Sequence, residues 1–89
     1  MKITKTVKLL NQVGLHLRAA AELVKISSKF KCRIFVKKGN GHVNGKSLIN
    51  LLTLATSYGE ELTLTFEGED AKDAWTAIHR LFLNKFGEE

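Results

Sequence analysis

Two segments of this chain alternate in hydrophobicity, and that period constrains the fold more than any other feature. Cys32, Ile34 and Val36 alternate with Arg33, Phe35 and Lys37, and Leu62, Leu64 and Phe66 alternate with Thr63 and Thr65. A period of two puts one set of side chains on a covered face and the other on a wet face. Strands of that kind build antiparallel sheets with one open side. The covered side needs a layer of helices, and the sequence provides it. Ala20, Leu23, Val24 and Ser27 recur at i, i+3, i+4 and i+7 in a helix from Leu17 to about Ser28. Ala71, Ala74, Trp75, Ile78, Leu81 and Phe82 share one face of a last helix. Asp70 is its expected cap, Asp73 favours the same dipole end, and Gly87 stops it.

The remaining segments complete the order. Ile3 to Leu9 reads as a partly alternating strand, followed by a loop at Asn11-Gln12-Val13-Gly14. Lys38-Gly39-Asn40-Gly41 has hairpin chemistry, with His42 to Asn44 as the short returning strand. Ser47 caps a short apolar helix from Leu48 to about Leu54. Ser57-Tyr58-Gly59 turns the chain into the fourth strand, which Gly68 ends. The order β-α-β-β-α-β-α packs economically as an α/β two-layer open-faced sandwich, a four-stranded antiparallel sheet with three helices on one face.

A length of 89 residues leaves room for one domain, residues 1–89, and 44% hydrophobic residues suffice for one small core. The single cysteine, Cys32, excludes an internal disulfide framework and a Cys-rich zinc site. No apolar run approaches the ~18 residues of a transmembrane helix, so no membrane insertion is expected. The start, MKITKTVKLL, lacks the pattern of a signal peptide. A reducing, cytoplasmic location is the expectation.

Charge divides the chain. Residues 1–44 carry ten Lys/Arg against one acid, Glu22, a net +9, while residues 45–89 carry four against eight, a net −4. A basic half attracts acidic partners, whether a protein surface, a phosphorylated ligand or nucleic acid. Lys29, Lys31, Arg33, Lys37 and Lys38, interleaved with Phe30 and Phe35, fit a small basic nucleic-acid-binding domain. No recognised nucleic-acid-binding signature accompanies them.

Gly14-Leu15-His16-Leu17-Arg18 carries the most chemistry. If His16 is the N-cap of the first helix, the N–H groups of Leu17, Arg18 and Ala19 point at its side chain. The helix dipole and Arg18 add positive charge, so the position is an anion site containing a nucleophile. Those surroundings disfavour imidazolium, and a neutral imidazole can attack phosphorus. The chemistry implied is reversible covalent phosphorylation. Gly45-Lys46-Ser47 looks like the end of a P-loop, but Asn40 stands where the earlier glycine should be, and the preceding segment is a hairpin. Ser47 is better read as a helix cap whose hydroxyl tolerates a phosphate. His42 and His79 have no partner at metal-ligand spacing, and His79 is expected to face solvent. No metal site and no cofactor are expected.

With His16 and Ser47 at helix N-termini, the sequence resembles the HPr family, the histidine-containing phosphocarriers of the phosphoenolpyruvate-dependent sugar phosphotransferase system. Gly14 to Ala20 matches the G-L-H-x-R-P-A signature except at Ala19, which stands for proline. Lys46-Ser47-Leu48 to Leu54 is similar to the second motif, with Ala55 in place of the usual glycine, and Phe66 to Asp70 looks like the lead-in to the last helix. The resemblance implies strand order 1-4-2-3. It implies that His16 takes a phosphoryl group on Nδ1 from Enzyme I, assisted by Arg18, and passes it to the A component of a sugar-specific Enzyme II. Leu17, Ala20, Leu48, Ile49 and Leu52 match the apolar patch that docks both partners. Ser47 matches the serine modified by HPr kinase/phosphorylase. The expectation is a monomeric, stoichiometric phosphoryl carrier rather than a turnover enzyme. A diverged HPr-like regulator controlled at Ser47 is the alternative.

Overall fold

The computed structural model describes residues 1–88. The strands are β1 (Lys2–Lys8), β2 (Arg33–Lys38), β3 (Gly41–Asn44) and β4 (Glu61–Glu67). The helices are α1 (Leu17–Ser27), α2 (Leu48–Leu52) and α3 (Ala71–Leu83), with a 3-10 turn at Lys85–Gly87. The sheet runs β1-β4-β2-β3, every neighbouring pair antiparallel. Register follows the alternation. Phe66 pairs with Ile3 on one side and Ile34 on the other, and Val36 pairs with Leu64 and Val43. These inward side chains meet Leu23, Leu51, Ala74, Ile78 and Phe82 from the helices in one core. On the opposite face Arg33, Lys37, Glu61 and Glu67 stay exposed. At the β1 edge, Lys5 stands with its ammonium 5.7 Å from the centre of the Trp75 ring. An inward charge on an edge strand discourages pairing with another chain.

The β2–β3 hairpin closes through Gly39 and Asn40, since Lys38 pairs with Gly41. Gly39 has φ +56 and Asn40 is not left-handed, as a type II′ turn requires of its first central residue.

Four expectations need correction. Asp70 occupies the N-cap position of α3 but makes no cap bond. Its carboxylate accepts instead from the N–H groups of Lys31 (2.8 Å) and Cys32 (2.9 Å), tying the start of α3 to the entry of β2. The last helix ends at Leu83 rather than near Gly87, because Lys85 and Phe86 both take φ +55 and reverse the chain. The short helix α2 stops at Leu52 rather than Leu54. His79 does not project freely into solvent; it is half-buried and stacks on Trp75 with ring centres 4.3 Å apart. Cys32 is buried, and burial first, then the hydrogen bond and charge of Asp70, push its thiol up to about 11.

Candidate functional site

The site is assembled at the start of α1 by a loop pinned from outside. Leu15 donates to the Thr56 carbonyl (2.9 Å), and Gly59 donates to the Leu9 carbonyl (2.8 Å). Gly14 turns between them at φ +85, with no space for a side chain, since a Cβ would lie 2.7 Å from the Thr56 oxygen. Beneath the turn, the fully buried Asn11 donates through Nδ2 to the Gly14 carbonyl at 2.6 Å.

His16 is the N-cap of α1, in extended conformation, and its carbonyl accepts from Ala20 at 2.9 Å. Its Nδ1 accepts the Arg18 N–H at 3.3 Å. The ring is partly exposed, and its other nitrogen, Nε2, lies 2.6 Å from Oε2 of Glu88. The other carboxylate oxygen, Oε1, accepts from Asn11 Nδ2 at 3.1 Å. Glu88 is absent from any local motif around His16; the two are 72 positions apart. Burial works to raise the Glu88 carboxyl, but the hydrogen bonds of Asn11 and His16 and the charges of His16 and Arg18 together hold it below the usual carboxylate range. The surroundings of His16 therefore contain a negative charge that the reading from positive neighbours did not include.

The arrangement can do nucleophilic chemistry on an anion. The lone pair of Nδ1 lies at a helix N-terminus, where N–H groups of the first turn lack intrahelical acceptors. Arg18 is exposed and adds a full positive charge. The donor role of Ala19 is less direct than expected. Ala19 has no exposed surface, so its N–H meets an incoming phosphoryl group only after the groups over it move.

The second position, Ser47, caps α2. Its Oγ accepts the Asn50 N–H at 3.3 Å, and its carbonyl accepts from Leu51 at 3.0 Å. Around it, Leu17 is 60% exposed, Ile49 75% and Leu52 37%, an apolar display on two helices that pack together. Leu48 is half-buried against the core. Ala20 has to be withdrawn from the docking set, because it faces inward with no exposed surface. The Lys46 ammonium bonds the Phe30 carbonyl rather than standing over an anion. Phe30 packs against the core, whereas Phe35 stacks on His42 with ring centres 5.1 Å apart. The two interleaved aromatics thus form no common stacking platform. Among the described residues, no cluster of three or more His, Cys, Asp and Glu side chains is placed to hold a metal, and no helix is long and apolar enough to cross a membrane.

The family model for the PTS HPr component phosphorylation site matches residues 3–84. The chain belongs to the HPr family. It is 42% identical over 87 residues to the phosphocarrier protein HPr of Treponema pallidum, covering 98% of this chain and 99% of that one. It is also 37% identical over 87 residues to the phosphocarrier protein NPr of Shewanella violacea, covering 98% and 96%. The crystal structure of HPr-C-His from Thermoanaerobacter tengcongensis superposes with a TM-score of 0.94 at 40% identity, covering 98% of each chain. The observed strand order is that of the family. An HPr phosphocarrier of the phosphotransferase system is the function these likenesses support.

Proposed function

We propose that this member of the HPr family carries a phosphoryl group on His16, accepting it from Enzyme I and delivering it to the A component of a sugar-specific Enzyme II. One observation carries the reading: Nδ1 of His16 points at the N-terminus of α1 and accepts the Arg18 N–H. Nδ1 therefore holds its lone pair toward the place where a phosphoryl anion is most favoured. In the first transfer that lone pair attacks phosphorus and displaces the donor. In the second it is the leaving group. Preorganised N–H dipoles and the Arg18 charge stabilise the phosphoryl oxygens in both directions. Leu17, Ile49 and Leu52 supply the apolar contact for docking, and the basic half of the chain supplies steering toward acidic partners. The chain acts as a cytoplasmic monomer, with Ser47 as a regulatory site for a serine kinase of the HPr kinase/phosphorylase type.

Enzyme I and phosphoenolpyruvate should add one acid-labile phosphoryl group per chain. His16→Ala should accept none, whereas His42→Ala and His79→Ala should match the parent. Label retained by His16→Ala would remove the assignment.

A further inference from the structure

The Glu88 side chain comes back to the site by a constrained route. The chain leaves α3 at Asn84, passes Lys85 and Phe86 in left-handed conformation, and turns again at Gly87 with φ +77. Phe86 is buried and packs edge-on against Phe82, ring centres 4.9 Å apart. Left-handed backbone at a non-glycine residue costs about 1–2 kcal/mol, so packing holds this reversal in place. Beyond it, Glu88 has 11% of its side chain exposed and meets both Asn11 and His16.

The two contacts of the His16 ring identify its tautomer. A backbone N–H can only donate, so Nδ1, which receives the Arg18 N–H, bears the lone pair. A carboxylate can only accept, so Nε2, 2.6 Å from Glu88, bears the proton. Both partners select the same form of a neutral ring. Asn11 fixes the carboxylate by donating to Oε1, while its second amide hydrogen goes to the Gly14 carbonyl of the His16 loop.

We infer that Glu88, held by Asn11, is a positioning residue for phosphoryl transfer: it keeps the His16 proton on Nε2 and supplies the countercharge to the phosphorylated ring. This role rests on His16 being the phosphoryl carrier. On acceptance, the Nδ1 lone pair forms the Nδ1–P bond, the donor–P bond breaks, and its electron pair leaves with the donor. The Nε2 proton stays, so the ring becomes cationic and faces the Glu88 carboxylate. On delivery, the acceptor forms its bond to phosphorus, the Nδ1–P bond breaks, and the electron pair returns to Nδ1. The ring is again neutral with the proton on Nε2, and no proton enters or leaves in either step. The other tautomer would hold its proton on Nδ1 and aim its lone pair at Glu88, away from the helix terminus.

The test uses ¹⁵N-labelled full-length protein with the His16 ring neutral, and single-turnover transfer from phosphorylated Enzyme I. The parent should show a pyrrole-like Nε2 and a pyridine-like Nδ1. Glu88→Ala should move both ¹⁵N resonances toward the average of mixed tautomers and slow phosphoryl acceptance about tenfold, the usual weight of one charge-assisted hydrogen bond. Glu88→Gln keeps an acceptor without the charge. It should retain the tautomer yet still slow phosphoryl acceptance, which creates the cationic ring, a split that a merely structural tail would not produce. Unchanged resonances and rates in Glu88→Ala, with His16 still phosphorylated, overturn the role and leave the carrier reading intact. A parent protein that takes no phosphoryl group on His16 overturns the carrier reading itself.

Discussion

The N-termini of α1 and α2 are built on the same plan and held in opposite ways. Each has a polar cap residue in extended conformation whose side chain accepts an N–H of the first turn, Arg18 for His16 and Asn50 for Ser47. The supports of Ser47 are local. Its own N–H donates to the Asn44 carbonyl at 3.1 Å, and Asn44 Oδ1 takes the Lys46 N–H at 2.9 Å. The supports of His16 come from across the molecule: Thr56 through Leu15, Asn11 through Gly14, and Glu88 after the last helix. A hydroxyl needs only a cap to be presented. An imidazole has a ring orientation and a tautomer to specify, and a second partner on its far nitrogen specifies both.

The largest expected effect separates the two ends through Gly14. An alanine there would be strained at φ +85 and would place its Cβ 2.7 Å from the Thr56 oxygen, a backbone atom already used by Leu15. Strain and displacement together should cost about 3 kcal/mol, read from urea melts of Gly14→Ala. Amide resonances should shift around His16 and Arg18 and stay in place at Asn50 and Leu51. Equal shifts at both ends would mean that the Ser47 end also depends on the loop and would break the contrast.

This difference in support is also why the sequence was unevenly legible. Strand and helix positions follow from periods of two and 3.6, and the four-stranded sheet is as the alternation implies. The Ser47 cap was readable because its partners lie within three residues. His16 was readable as a cap for the same reason, but Glu88 was not, since no local pattern connects positions 72 residues apart. Asp70 shows the converse error. An acid before an apolar helix reads as a cap, yet here its carboxylate is taken by Lys31 and Cys32 on a neighbouring segment. Ala20 entered the docking set only through the resemblance, whereas its place in the i, i+3, i+4 stripe of α1 already pointed inward, where it lies buried.

A smaller effect should isolate the local end. Ser47→Ala removes the bond to the Asn50 N–H and should cost about 1 kcal/mol, the usual weight of an N-cap. Ser47→Asp restores an acceptor and suits the helix dipole, so thermal melts should return most of that loss. If α2 docks acidic partners as proposed, the same substitution should weaken Enzyme I binding by about tenfold in calorimetry, because a charge now faces like charges. Unchanged affinity would leave Ser47 a cap and nothing more. Stability loss in Ser47→Asp matching Ser47→Ala would show that the cap does not act through a side-chain acceptor.

The smallest expected effect lies at the other end of α2 and has the opposite sign. Ala55 takes φ +46, left-handed backbone at a residue with a Cβ. It is exposed, so its methyl group contributes little packing. The turn is kept because Lys38 reaches across from β2 and donates to the carbonyls of Leu54 (3.3 Å) and Ala55 (3.0 Å), and to Glu60 at 3.1 Å. These bonds satisfy carbonyls that the short helix leaves open. Glycine at 55 would remove a conformational cost of about 1–2 kcal/mol. It would also give the unfolded chain more freedom, returning about 0.4–1 kcal/mol of that gain. Ala55→Gly should therefore stabilise the protein by about 0.8 kcal/mol at the middle of these ranges, seen as a higher urea midpoint at unchanged slope. Phosphoryl acceptance by His16 should not change if Thr56, the next residue and the acceptor of the Leu15 N–H, keeps its place. A lower midpoint would mean that the Lys38 clamp depends on a stiff residue at this turn, and a changed transfer rate would couple the local end of the molecule to the distant one.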